Sequence, residues 1–359
     1  MKKYTCSVIT GSGKYLPEQS VSNTDFLQND FRDLSGEPID KTNTTIIGQF
    51  EDITGIRSRK HVGSELVTSD IAFFAAEDAI VSSGTDRETI DYLIVAHNFG
   101  DVKCGNRRSD MVPSLAARVK HRLQIRNPYC VAYDLPFGCP GWVQAMIQSH
   151  YFLKSGDAKK ILVIGAETLS RVSDPHDRDS MLYSDGAGAV ILSSEENDEQ
   201  YGILAHKTRS DTFEHAFMLF MAPSNNPLAE DLLYLKMKGR KLYEYALNTV
   251  AGLIKETIEK SGLELSDISK VLIHQANAKM DDAILARLFQ LYGLKEIPED
   301  IMPMTIAELG NNSVATIPIL YDLINKGEFE GQAFKSGEKL VIASVGAGMN
   351  INCIIYSCP

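Results

Sequence analysis

The chain has 359 residues, 44% of them apolar and 23% charged, a balance that excludes disordered, fibrous and collagenous classes and suits two or three globular domains. Its formal net charge of −11 argues against a general nucleic-acid binder, since phosphate would be repelled over most of the surface. No apolar run approaches a membrane span, and Met1-Lys2-Lys3 precede only a short apolar stretch broken by Thr5 and Ser7, so a cytoplasmic protein without leader or anchor is expected.

In chain order, Gly11-Ser12-Gly13-Lys14 suggests a phosphate loop but lacks the GxxxxGK[ST] spacing and is followed by Tyr15. Ser83-Gly84, an acidic stretch and the run Ile90 to Ala96 predict a helix end, a loop and a buried strand. Phe137-Gly138-Cys139-Pro140-Gly141-Trp142 then leads into Val143, Ala145, Met146, Ile147, Tyr151, Phe152 and Leu153, which predicts a helix apolar nearly all round, with Pro140 in its first turn. Cys139 at the positive end of that helix should favour thiolate over thiol, which makes it a candidate nucleophile. Cys6, Cys104, Cys130, Cys353 and Cys358 read as inert packing; without a CxxC pair, the six form neither a zinc site nor a disulfide framework. Further on, Lys236, Lys238, Arg240 and Lys241 are either a solvated turn and helix start or a local basic patch. No histidine pair has HExxH spacing, and no metal site is expected.

An internal repeat organises these segments. Ser83-Gly84 leading to Ile90–His97 is matched by Ser261-Gly262 leading to Ile268–His274. Lys154-Ser155-Gly156 before Ile161–Gly165 is matched by Lys335-Ser336-Gly337 before Leu340–Ala343, and each half closes on Gly-Ala-Gly, at Gly186 to Gly188 and at Gly346 to Gly348. Both Gly-Ala-Gly segments lack the third glycine of a dinucleotide fingerprint and read as places where the backbone comes close to something. Between the anchors Cys139 opens the helix of the first half, and Asn311-Asn312-Ser313 opens the matching apolar segment of the second. Two α/β halves are expected, 1–195 and 196–359. If they pack about a pseudo-twofold axis, both helix starts converge and Cys139 and Asn311 share one site.

Phe-Gly-Cys139-Pro-Gly-Trp, His274-Gln-Ala-Asn277 and Gly310-Asn311-Asn312-Ser313 resemble the three active-site signatures of the thiolase superfamily in its ketoacyl-ACP synthase III branch. Thr54-Gly-Ile-Arg57 resembles the family's substrate-edge motif, and Ile9–Pro17, Ser173–Arg178 and Ser184–Val190 resemble further motifs in the family's order. The resemblance implies a duplicated, five-layered αβαβα homodimer. It also implies acyl transfer from acyl-CoA or acyl-ACP to Cys139, an oxyanion hole from the backbone of Cys139 and Ala347, and decarboxylation of malonyl-ACP with His274 and Asn311 donating to the enolate. No metal or prosthetic group is implied. Substrate contacts fall on Val112, at the floor of the acyl pocket near the dimer interface where short-chain members carry Phe, and on Arg178 and Gly239. Docking of an acyl carrier protein falls on Lys238, Arg240, Lys241 and Lys279. Gln49 and Ile53 stand where many members hold the coenzyme A adenine with Trp and Arg, and extra sequence between Asn23 and Thr54 is expected to cap the acyl entrance. These departures leave open a specialised-lipid ketosynthase of the dialkylresorcinol or flexirubin type. Other classes weighed against the enzyme are a thioester hydrolase using the same Cys/His/Asn trio and a non-catalytic synthase-like subunit.

Overall fold

Apolar runs without polar alternation must be covered on both faces of a sheet. Two sheets of this kind form in the computed structural model, which describes residues 3–230 and 232–359; the Met1-Lys2 start weighed above lies outside them. The first sheet contains β1 (Tyr4–Tyr15), β2 (Tyr92–Ala96), β3 (Val131–Leu135), β4 (Lys160–Thr168) and β5 (Asp185–Asn197), in the order β1-β5-β4-β2-β3. The second contains β6 (Gly202–Ser210), β7 (Ile268–Ile273), β8 (Lys339–Gly346) and β9 (Asn350–Ser357), in the order β6-β9-β8-β7. β4 pairs antiparallel with β5 and parallel with β2, just as β8 pairs antiparallel with β9 and parallel with β7. The sequence repeat is thus a repeat of sheet topology.

Helices take equivalent places in each half. α1 (Asn43–Thr54) belongs to the cap; α2 (Thr68–Ser83), α3 (Leu115–Arg122) and α4 (Gly141–Ser155) belong to the first half. α5 (Gly239–Ser261), α6 (Ala278–Leu291) and α7 (Thr316–Asn325) belong to the second. Strand residues alternate between two cores, as a period of 2 requires. Ile94, Ile161, Val163, Leu340 and Ile342 meet Trp142, Met146, Ile317 and Leu320, so α4 and α7 lie between the sheets. Leu93, Leu162 and Ile164 meet α2 and α3 outside the first sheet, while Val271, Val341 and Ala343 meet α5 and α6 outside the second. The result is the expected five-layered αβαβα, thiolase-like α/β fold. Its middle layer is covered by a sheet on either side. Trp142 and Met146 are each at most 1% exposed, burial worth about 2 to 3 kcal/mol per side chain. α4 departs from the all-round apolar expectation only late, where Tyr151 is exposed before the helix stops at left-handed Gly156.

The Gly-Ala-Gly segment of β5 approaches the start of α7. A Cβ on Gly188 would lie 2.7 Å from the backbone nitrogen of Ile319, and one on Gly186 would lie 2.9 Å from the Ile319 side chain. Helix α7 therefore presses its backbone onto the first sheet. Gly188→Ala should cost about 1 to 3 kcal/mol through overpacking. Gly252→Ala, inside α5 with nothing within 4 Å of its Cβ, should instead gain up to about 1 kcal/mol from helix propensity. Urea unfolding of the two variants should show opposite shifts from wild type; shifts of the same sign would refute this packing account.

Candidate active site

Cys139 sits in the turn before α4. Gly138 takes a left-handed backbone (φ 68°) and its carbonyl accepts from the Gly141 N–H, 2.9 Å away. The turn is closed against the end of β8: a Cβ on Gly138 would lie 2.9 Å from the Ala347 nitrogen, and one on Gly346 would lie 2.7 Å from the Cys139 nitrogen. The backbones of Cys139 and Ala347 therefore meet because no side chain separates them. Asn352 of β9 reinforces the contact, its amide donating to the Pro140 carbonyl at 3.0 Å. Asn350 holds the Ala347 carbonyl at 2.9 Å.

The second half's turn crosses to the first. The Asn311 N–H donates to the Leu182 carbonyl and its own carbonyl accepts from the Ser184 N–H, at 2.9 and 3.0 Å. Gly310 (φ 61°, ψ −160°) provides a backbone open almost only to glycine. The Asn311 side-chain oxygen accepts from the Ser313 N–H at 2.8 Å, which fixes the amide so that its NH₂ is the free end beside the cavity. His274 follows β7 and extends its ladder, its N–H donating to Ala343 at 2.9 Å. Gln275 and Asn277 of the same motif are structural. Gln275 donates to Pro303 at 3.0 Å and accepts from Thr305, while Asn277 caps α6 by accepting from the Met280 N–H.

Cys139, His274, Asn311 and Ala347 share one cavity of about 1410 Å³, above the usual range for small-ligand sites. Much of its wall is apolar, including Ile39, Phe50, Leu169, Leu182 and Met237. The extra segment also contributes, through Arg32, Asp33, Leu34, Ser35, Pro38 and Ile39. Gln49, Ile53, Arg178 and Gly239 line it too, with Gln49 bonded to Lys41. Among the described residues no group of His, Cys, Asp and Glu converges as a metal site would require.

Four expectations need correction. Cys139 is not biased toward thiolate: burial, joined by the charge of Glu167, pushes its thiol up to about 11. That rise from 9.0 is worth roughly 3 kcal/mol, whereas a helix dipole supplies about 1. Val112 does not line its own chain's cavity. It is 86% exposed, in a turn that Arg118 ties down through Asp110 and the Pro113 carbonyl. Arg57 pairs with Glu308 at the surface, 2.6 Å away, instead of lining the substrate edge. The basic run also divides. Lys236 is only 2% exposed and held by Asp174 and Asp177 at 2.6 and 3.0 Å, so it is an anchor for the loop bearing Arg178. Lys238, Arg240 and Lys241 do line the cavity, Arg240 beside Glu244, and Lys279 is exposed at the start of α6.

Sequence reasoning missed Asn98, Glu167 and Tyr183, whose side chains are buried or half-buried around the site. Only Glu167 left a signal, an acid at the end of the apolar run Ile161–Ala166. Burial depresses the His274 imidazole to about 4, since a charged ring there would have no solvent. His274 is therefore neutral at physiological pH. Its ring resonances, assigned with His274→Ala, should stay flat from pH 8 to pH 5; a titration midpoint above 6 would contradict this.

The comparisons with known proteins can be set on this geometry. Residues 133–212 match the family model of 3-oxoacyl-[acyl-carrier-protein] synthase III, and residues 258–358 match that of its C-terminal part. The chain is 31% identical over 344 residues to the beta-ketoacyl-[acyl-carrier-protein] synthase III of Erythrobacter litoralis, covering 95% of this chain and 96% of the relative. It is similar to the solved synthase III of Thermus thermophilus, with TM-score 0.79, 30% identity and coverage of 98% and 99% of the two chains. It is also similar to the solved priming beta-ketosynthase of the R1128 polyketide biosynthetic pathway, with TM-score 0.79, 26% identity and coverage of 99% and 96%.

Proposed function

The chain belongs to the 3-oxoacyl-[acyl-carrier-protein] synthase III family, and from that premise we propose how its own residues carry the family's reaction. It is an acyltransferase of the beta-ketoacyl-ACP synthase III type, acting in fatty-acid biosynthesis by condensing an acyl thioester with malonyl-ACP. Cys139 attacks the acyl thioester carbonyl; the thiol carrier leaves, and the collapsing tetrahedral oxyanion is held by the backbone N–H groups of Cys139 and Ala347. Malonyl-ACP then loses CO₂, and the enolate oxygen accepts hydrogen bonds from neutral His274 and from the Asn311 amide. The carbanion attacks acyl-Cys139 and expels the sulfur, giving 3-oxoacyl-ACP. The carrying observation is that a cysteine, a neutral histidine and an amide with its donor end free share one largely apolar cavity. Residues 1–195 thus supply the nucleophile and 196–359 the two enolate donors.

This division of labour separates the half-reactions. Cys139→Ala should abolish acylation and condensation. His274→Ala and Asn311→Ala should still form acyl-Cys139 but lose decarboxylation by at least about 10²-fold, the loss expected when an oxyanion donor is removed. Intact-protein mass and ¹⁴CO₂ release measure the two steps, and equal loss in both would sink the assignment.

Carrier docking is proposed on Lys238, Arg240, Lys241 and Lys279, because a chain of net charge −11 needs a local positive surface to receive an acidic carrier. Lys238 and Lys241 also border a second hollow of about 720 Å³, beside the fully exposed Phe213. Homodimerisation in the cytoplasm belongs to the same proposal, with Val112 reaching an acyl cavity only as the partner's contribution. A second reading, a specialised-lipid ketosynthase joining two acyl-derived units, is favoured by the large cavity and by the segment 32–40 that lines it. One panel tests these points. Among acetyl to C12 thioesters on CoA and on carrier protein, a C6 to C12 group on the carrier should load Cys139 best. Reversing Lys238 and Arg240 to Glu should raise KM for carrier forms about tenfold and spare CoA forms. Best loading by acetyl-CoA, or a KM unmoved by charge reversal, would defeat the respective proposal.

A further inference from the structure

A line of hydrogen bonds runs from a buried carboxylate to the sulfur of Cys139. Glu167, 0% exposed near the end of β4, accepts from the Asn98 backbone N–H at 3.2 Å and from the Asn98 side-chain amide. The same Asn98 amide donates its other hydrogen to the Ser313 hydroxyl at 3.0 Å. Ser313 in turn donates to the Cys139 sulfur at 3.3 Å. The Asn98 amide donates both ways, to Glu167 and to Ser313, so the Ser313 oxygen is already an acceptor and its hydroxyl hydrogen is left for Cys139. Ser313 is held in place at some cost. It has a left-handed backbone (φ 51°), and its turn lies on β4 so closely that a Cβ on Gly165 would fall 2.4 Å from the Val314 carbonyl oxygen.

Resting on the reading of Cys139 as nucleophile, we infer that Ser313 is a further catalytic residue whose hydroxyl stabilises the Cys139 thiolate, and that Asn98 and Glu167 are positioning residues for it. Thiolate is disfavoured in this cavity, so a donor aimed at the sulfur acts where the anion is most in need of one. Glu167 has two opposed effects. As an acceptor it orients Asn98 and hence Ser313; as a charge it opposes the thiolate. Burial raises its carboxyl to about 7, with Asp185 of β5 raising it further and His97, at the end of β2, lowering it. His97 itself lies 3.0 Å from Asp134 of β3. Around the sulfur the other titratable neighbours are Tyr183 and, in the same cavity, His274.

The test is alkylation of Cys139 by iodoacetamide in the intact protein from pH 6 to 11, read by peptide mass, alongside acyl loading. Ser313→Ala should slow alkylation about tenfold below the thiol pKa, the loss expected for one hydrogen bond to a charged group. It should also lower kcat while leaving KM within twofold. Ser313→Gly, which suits the left-handed backbone and lacks the whole hydroxymethyl group, should do the same and guards against misfolding. Glu167→Gln keeps an oxygen for Asn98 but removes the charge, so above pH 7 it should speed alkylation. Opposite signs are the signature, because mere loosening of the packing would move all three variants one way. Ser313→Gly alkylating like wild type, or Ser313→Gly and Glu167→Gln both slower, would overturn the inference. If wild-type Cys139 accepts no acyl group while the alkylation shifts appear, the nucleophile reading fails and the hydrogen-bond inference stands.

Discussion

Asn311 is held by its backbone: its N–H and carbonyl bond to Leu182 and Ser184, residues of the other half of the chain. That pair of bonds joins the second half's turn to the first sheet like a short extra strand, and Tyr183 and Asn311 form a parallel bridge there. Asn312 adds a third bond, donating to the Asp185 carbonyl at 3.0 Å. The reciprocal stitch is Asn352 to Pro140. Each half therefore fixes the other's helix start, and neither turn would keep its shape alone. The glycines at 138, 165, 188 and 346 make this possible, since each lies where a side chain would collide with backbone of the opposing half.

Placing two helix starts in the middle of five layers also determines the electrostatics. Desolvation there outweighs every local partner, so the Cys139 thiol is pushed up, the His274 imidazole is pushed down, and Glu167 is raised to about 7. At rest the sulfur and the imidazole are therefore uncharged, and Glu167 is only partly ionised near neutral pH. Such a site meets a reaction whose anions are transient, an oxyanion and then an enolate, with donors that need no reorganisation when charge appears. In a low-dielectric cavity each fixed N–H is worth more than it would be in water. The same burial that makes thiolate costly at rest makes stabilised anions selective for the transition state.

The two halves were legible because the repeat carried them, with matching helix, loop and strand anchors in each, and the five-layered stacking was what the family resemblance implied. Cys139 and Asn311 were legible because each opens an apolar helical segment at a turn, and His274 because it ends the apolar run Val271–Ile273. What the sequence did not reveal depends on contacts across the repeat. Glu167 and Asn98 are far apart in the chain, and nothing local tells that one amide bridges the carboxylate to Ser313. The division of the basic run was equally hidden: Lys236 lies inside the strand Tyr234–Met237 and reaches Asp174, whereas Lys238 lies past its end, at the start of α5, and borders the cavity. The thiolate expectation failed on magnitude, because a pattern locates a helix start but carries no measure of how deeply it is buried.

Residues 29–40 show how substrate choice can change while the reacting groups stay fixed. This segment buries Phe31 in a core cluster, and its polar ties run to the rim. The Arg32 N–H donates to the His176 carbonyl at 2.8 Å, and Asn29 donates to Pro175 at 3.0 Å. Its anchor loop, 173–179, is secured by Lys236, Ser224 and Asn225 on Asp174. A buried lysine holding two aspartates costs desolvation that only good geometry repays, and removing one partner would leave a charge stranded. That arrangement favours one loop position over many, and Arg178 is carried on it. The cavity wall thus rests on two surface segments bonded to each other, whereas the sulfur, imidazole and amide rest on the interlocked sheets. Changes in the segment can resize the cavity without disturbing the reacting atoms, which is the separation a condensing enzyme needs to vary its acyl group at constant chemistry.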